Sequence, residues 1–205
     1  MDELTLKTFI IGDLENNCYL VFDKRTKKGF LVDAPEPIRE VIKFITKENL
    51  EISFVALTHA HFDHIAGLDD LALQFYVHSE DSSFLKDPKL NGSLFFSSSV
   101  KTERKPNFYP PEGFLKFEEH SLKIIHTPGH TPGSVSLKLN NWLFSGDALF
   151  FDSIGRTDIP LASHKVLIQA IKEKLLTLPE NTLVYPGHGP FTDIGREKKL
   201  NSFLQ

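Results

Sequence analysis

The sequence of 205 residues contains one cysteine, one methionine and one tryptophan. A lone thiol, Cys18, forms no internal disulfide and supplies no thiolate cage for a metal, and such cysteine usage suits a reducing compartment. A cytoplasmic location is therefore expected. No apolar run approaches the roughly 18 residues of a membrane span. The opening MDELTLKTFIIG is acidic and only briefly apolar, unlike the basic-then-apolar layout of a secretory leader. No block of five or more like charges occurs, and 23 Lys and Arg against 27 Asp and Glu leave a net charge of −4. That balance argues against nucleic-acid binding through a basic face. Nor does any linker composition or short repeat divide the chain. One domain over residues 1–205 is expected, acting on a small molecule, as a monomer or homodimer.

Nine histidines and eighteen phenylalanines are the compositional excesses. The phenylalanines read as core filling, with a few exposed around a pocket. Short strands are expected at Leu4–Ile11, Asn17–Phe22 and Gly29–Val32, joined as a meander through Gly12-Asp13 and the charged KRTKK turn. Ile38, Val41, Ile42 and Ile45 fall at helical spacing, and Asn49 ends that pattern. Ile52–Leu57 is a continuous apolar run, a buried strand, and Gln74–His78 is another. About 35 weakly periodic residues follow, up to Gly113; so long an irregular stretch in a compact domain points to function or mobility.

The second half repeats the rhythm. Strands are expected at Leu122–His126, Ser134–Leu139 and Trp142–Phe144, with an Asn140-Asn141 hairpin turn. Ser163 caps a helix with Val166, Leu167, Ala170, Ile171 and Leu175 on one face. A strand at Thr182–Tyr185 and a last helix over about Asp193–Phe203 complete the chain. Two halves, each of strands followed by a helix, predict an α+β fold: a four-layer αββα sandwich.

Thr58-His59-Ala60-His61-Phe62-Asp63-His64 places four metal donors just beyond a strand end, too closely spaced for a regular strand or helix to aim all at one ion. A loop there directs them to two adjacent ions. His130 in TPGHTPG, Asp147 in FSGDALF and His188 in YPGHGP sit in similar Gly- and Pro-rich loops. Imidazole and carboxylate without thiolate suit a transition metal, zinc first, then iron or manganese; calcium and magnesium favour oxygen alone. Any one of these histidines alone is most simply a surface or core residue; together they are a site.

THAHFDH, HTPGHTPGS, SGDALF and YPGHGP together resemble the metallo-β-lactamase superfamily, and SIGRTD resembles its short glyoxalase-II-like hydrolases. The resemblance spans nearly the whole chain. It implies the αββα fold, with two divalent transition-metal ions at one edge between the sheets. It further implies His59, His61 and His130 on one ion, Asp63, His64 and His188 on the other, and Asp147 as the bridge. Asp33, in LVDAP, matches a strand-end Asp of the family, and is either a residue that orients a ligand imidazole or simply the end of its strand.

Paired metals make hydroxide available near neutral pH, so no side-chain base is required. Asp63 is a candidate for orienting the nucleophile. These motifs contain no obvious general acid, which favours a thiolate leaving group, because a thiol has a pKa of about 8.5 whereas amines and alkoxides need a proton. Thioester hydrolysis, as of S-(2-hydroxyacyl)glutathione, is the expected reaction. Arg156 matches a position where longer glyoxalase II proteins carry a glutathione-contacting lysine, and is a candidate for gripping a substrate carboxylate. The alternative role is an ion pair with Asp158. Those longer proteins also have a C-terminal helical region without counterpart here, which leaves the thiol carrier open. The irregular segment could substitute by presenting Phe95, Phe96 or Tyr109 over the metals, or could serve as a dimer contact or crossover.

The rival reading is a persulfide dioxygenase, whose family shares GRTD and uses one iron on the equivalents of His59, His130 and Asp147. Phosphodiesterase and β-lactamase readings are weaker, and intact ligand positions disfavour an inactive binding module. Cys18 reads as a small buried hydrophobe. His78, His120, His126 and His164 have no partner motif.

Overall fold

The structure is a computed structural model that describes residues 4–110 and 113–205. Met1–Glu3 of the acidic opening, and Pro111 and Glu112 of the irregular segment, lie outside the described residues. Two six-stranded sheets form the centre. The first runs β1 (Leu4–Ile11), β2 (Asn16–Asp23), β3 (Lys28–Val32), β4 (Glu51–Ala56), β5 (Phe75–Val77) and β6 (Asn107–Phe108) in spatial order. The first three are the expected antiparallel meander. The crossover through α1 (Arg39–Glu48) then makes β4 parallel to β3.

The second sheet is ordered β14 (Thr192–Asp193), β13 (Leu183–Pro186), β10 (Trp142–Gly146), β9 (Val135–Leu139), β8 (His120–His126) and β7 (Phe114–Phe117). Again an antiparallel meander, β7 to β10, is followed by a parallel partner, β13. The connection carries α3 (His164–Ala170) and a π turn over Ile171–Leu175. Ser163 caps α3 by accepting from the Val166 N–H. The strands β11 (Leu149–Phe150) and β12 (Ser153–Ile154) form a small hairpin between β10 and that helix.

Three apolar clusters define the layers. Cys18, Leu20, Leu31, Val55 and Leu57 face α1 through Ile38 and Val41. Their chain neighbours Tyr19, Val21, Phe30, Val32, Phe54 and Ala56 point the other way, meeting Leu122, Val135, Leu137 and Phe144 of the second sheet. Leu143 and Val184, on that sheet's far face, pack against Leu167, Ile171, Leu175 and Ile194. Side chains alternate across a strand, so strands covered on both faces read as continuous apolar runs. Helix, sheet, sheet and helix are thus stacked as expected.

Edge strands account for most differences from the sequence. β6, β7 and β14 escape notice because two to four residues carry too little periodicity to register. The last helix, α4 (Ile194–Leu200), stops short of Phe203. Asn201 turns extended there, and its side chain accepts from the Phe203 N–H to begin a 3-10 turn. Tyr109 does not reach over the metal-ligand motifs. It packs into the intersheet layer with its hydroxyl donating to the Leu57 carbonyl (2.9 Å).

Candidate metal centre

The motif loops leave the sheets at a common edge, where the two sheets are joined. Asn16 and His188 form an isolated antiparallel bridge, the Asn17 N–H donates to the Gly187 carbonyl (2.7 Å), and the Val135 N–H donates to the Thr58 carbonyl (2.8 Å). Beyond β4 the chain bends at Thr58, is extended at His61, and then makes the single helical turn α2 (Phe62–Ile65). This change of conformation lets donors spaced one or two residues apart face one region.

All seven predicted donors converge. Donor atoms of His59, His61 and His130 lie within 4.8 Å of one another, as do those of Asp63, His64 and His188, and those of His59, His64 and Asp147. Asp147 lies between the first two groups: its Oδ1 is 3.5 Å from His64 Nε2 and its Oδ2 is 3.4 Å from His130 Nε2. Asp63 Oδ2 is 3.3 Å from His188 Nε2. The motif glycines permit this closeness. A Cβ on Gly187 would come within 2.2 Å of Asp147 Oδ1, and one on Gly155 within 1.8 Å of the Asp147 carbonyl oxygen.

Ring orientation is fixed from behind. His64 Nδ1 faces Asp33 Oδ2 (2.8 Å), His130 Nδ1 the Arg156 carbonyl (2.9 Å), and His188 Nδ1 the Leu14 carbonyl (2.8 Å). His59 Nδ1 lies 3.1 Å from the Thr58 hydroxyl, which itself donates to Asp33 (2.8 Å). With oxygen acceptors at Nδ1, the proton belongs there and the Nε2 lone pair is free to ligate. His61 instead points its Nδ1 toward His130 Nε2, at 2.8 Å.

A cation fits this donor set. His59 Nε2, His64 Nε2 and Asp147 Oδ1 are buried without a hydrogen-bond partner. Leaving such atoms unpaired costs about 1–3 kcal/mol each, and one kind of guest, a positive ion, satisfies all three. Burial, aided by neighbouring imidazoles, holds His59 and His61 well below the ordinary imidazole range, and burial also lowers His130. Their lone pairs are therefore available at neutral pH. Burial opposes charge on His64 too, but Asp63, Asp33 and Asp147 outweigh it and push that imidazole up to about 10: the three carboxylates favour a positive charge at Nε2, which a metal ion would supply in place of the proton. Asp63 is held well below the usual carboxylate range: burial alone would raise it, but His64, His188 and the Asn16 amide prevail.

Asp33 takes the orienting position, also accepting from the Thr58 N–H (2.7 Å). Other supporting residues carry no sequence signal of their own. Asn16 donates to Asp63 Oδ2 (2.8 Å), and Asn17 donates to the Pro186 and Gly189 carbonyls around His188. Asp81 is fully buried and ties two ligand loops together. It accepts from the Ala60 N–H (3.0 Å), the Thr131 hydroxyl (2.8 Å) and the Gly133 N–H (2.7 Å), while burial pushes its carboxyl up to about 6.

The centre opens into a cavity of about 590 Å³ lined by Leu14, Phe62, Leu90, Phe95, Phe96, Phe150, Ile154 and Ile159 among others. Arg156 also lines it, but its guanidinium is engaged in a bidentate pair with Asp158 (2.8 and 2.9 Å). Cys18 is buried, its thiol donating to the Asp33 carbonyl and pushed up by burial. His78 and His126 do meet, with rings stacked at 4.2 Å and 11°. Near-parallel planes cannot both contain one ion, so that pair with Glu80 makes a poor ligand set. His120 begins β8 and His164 begins α3, and neither joins the seven donors.

A family model described as the metallo-beta-lactamase superfamily matches residues 11–188. The probable metallo-hydrolase YqgX of Bacillus subtilis (strain 168) is 37% identical over 201 residues, covering 95% of this chain and 94% of its own length. The hydroxyacylglutathione hydrolase GloC of Haemophilus influenzae is 31% identical, covering 98% of each chain. Among solved structures, the BLEG-1 B3 metallo-beta-lactamase superposes with a TM-score of 0.93 at 36% identity, covering 98% of this chain and all of that one. TTHA1623 in a di-iron-bound form gives 0.83 at 31% identity, covering 97% of this chain and 100% of that one.

Proposed function

The chain belongs to the metallo-beta-lactamase superfamily, and from that premise we propose that it is a dinuclear hydrolase of thioesters. His59, His61 and His130 would hold one ion and Asp63, His64 and His188 the other, with Asp147, whose carboxylate faces donors of both groups, shared between them. The observation that carries this reading is the Asp147 geometry, together with the unpartnered Nε2 atoms of His59 and His64. A di-iron relative supports two ions per chain. The nitrogen and oxygen donor set suits zinc, with iron or manganese as alternatives.

When bound, two divalent cations supply a nucleophilic water of lowered pKa and polarise a carbonyl. The chain's own residues keep the centre rigid and choose what leaves. Asp63, which accepts from the Asn16 amide, would orient the nucleophile. Among the described residues lining the cavity there is no free general acid: its histidines, His61, His130 and His188, belong to the ligand groups, and Arg156 does not give up a proton. A leaving group must therefore depart as an anion. A thiolate does so readily, whereas an amine or alkoxide does not. Similarity to a hydroxyacylglutathione hydrolase supports the same bond type.

The test is metal analysis of the purified protein, paired with thioester cleavage followed by a thiol reagent and with oxygen uptake on a persulfide. About two metals per chain with thioester cleavage supports the proposal. One iron per chain with persulfide-dependent oxygen uptake replaces it with the dioxygenase reading.

A further inference from the structure

The cavity walls carry chemistry that the metal donors do not explain. Phe62 sits inside the THAHFDH motif, so an aromatic surface begins beside the metal ligands. It continues through Phe96, whose ring lies 5.0 Å from that of Phe62, to Phe95. Phe95 and Phe96 are 69% and 53% exposed, and they differ from the chain's other exposed phenylalanines in lining the cavity beside the metal donors. Each large apolar ring left in water forgoes the gain of burial, so a ring pair beside a reactive centre is an apolar contact surface awaiting a partner. Their position is set by the short 3-10 turn Ser93–Phe96, anchored where the buried Asn91 side chain binds the Phe84 and Val100 carbonyls.

Charge on the walls points the same way. Among the described residues, Arg156 is the one arginine or lysine lining the cavity, and its Nε and Nη2 donate to Asp158. A glutathione thioester brings two carboxylates and one ammonium. The pair with Asp158 is exposed and leaves other guanidinium N–H groups uncommitted, but the Asp158 carboxylate neutralises Arg156 and repels a second carboxylate, so the pair adds little attraction for an anionic arm.

We propose that the substrate presents an apolar, uncharged acyl or thiol arm to the Phe62, Phe95 and Phe96 wall, and that thioesters of charged peptide thiols are poor substrates. This rests on the thioester reading above and narrows its substrate class. A fully buried methylene is worth about fourfold in binding, so lengthening the arm raises kcat/KM until the wall is covered.

The experiment uses the metal-loaded protein and compares kcat/KM for the acetyl, butyryl and hexanoyl thioesters of N-acetylcysteamine, a neutral thiol, with S-lactoylglutathione. The expected result is a rise of at least about tenfold from acetyl to hexanoyl, with S-lactoylglutathione below the butyryl compound. In the Phe95→Ala, Phe96→Ala double variant the hexanoyl-to-acetyl ratio falls severalfold. A flat chain-length series, or S-lactoylglutathione as the best substrate, overturns the apolar-arm proposal while leaving thioester hydrolysis intact. Failure of the two-metal protein to cleave any of the four overturns the thioester reading and this proposal with it.

Discussion

Asp33→Asn is a near-isosteric change whose main effect falls on a proton. Asp33 Oδ1 accepts the Thr58 N–H, while Oδ2 accepts the Thr58 hydroxyl and faces His64 Nδ1 at 2.8 Å. In the variant, the amide oxygen must serve the Thr58 N–H, which turns the amide NH₂ toward His64. That ring then accepts at Nδ1 and carries its proton on Nε2, the atom meant for a metal. Restoring the ligating tautomer opposes two donors, and lost support of this kind typically costs about 10–100-fold in metal affinity. The fold suffers less, because neutral hydrogen bonds replace charge-assisted ones at a cost of about 1–2 kcal/mol, or roughly 2–8 °C in Tm. Asp33→Ala should invert the balance: three polar groups lose their acceptor, the melting temperature drops further, and no proton is forced onto Nε2. The assay is competition for zinc against a chromophoric chelator, with thermal melts of both variants. An Asn variant that binds both equivalents with the affinity of the unmodified protein refutes the tautomer argument.

Asp147→Ala removes the carboxylate lying between the two donor groups. Bound metal should fall below two per chain, and turnover by more than the roughly 100-fold that loss of a supporting partner costs; two retained metals with full activity would contradict a bridging role. Asp81→Ala strands the Ala60 and Gly133 N–H groups and the Thr131 hydroxyl. At least about 3 kcal/mol of stability should be lost, a fall of roughly 6–12 °C in Tm; an unchanged melt would show that the ligand loops hold without it. Cys18 is fully buried, and burial, with Asp33 nearby, keeps its thiol protonated. It should resist a disulfide reagent at pH 8 in the native protein and react at once in denaturant; rapid native labelling would contradict its packing.

How far the sequence reaches differs between the donors and their supports. His59, His61, Asp63, His64, His130, Asp147 and His188 are legible because each lies in a short contiguous string with Gly and Pro beside it. The spacing that makes a loop necessary is itself visible. Asn16 and Asp81 act on the same loops but reach them across 47 residues and across 21 to 52 residues, respectively. A lone polar residue opening a strand, as Asn16 does, or in a turn after one, as Asp81 is, carries no mark of such a distant partner.

By itself the sequence determined the layered architecture, since continuous apolar strands require cover on both faces and amphipathic helices supply it. It likewise determined the class of the site through donor chemistry. Only the tertiary structure decided which imidazoles face carboxylates and which face one another, that Arg156 is already paired, and that Phe95 and Phe96 border the cavity while Tyr109 is spent between the sheets. The reason is physical: periodicity records which face of an element avoids water. Charge states, tautomers and cavity walls depend on neighbours brought close from distant parts of the chain.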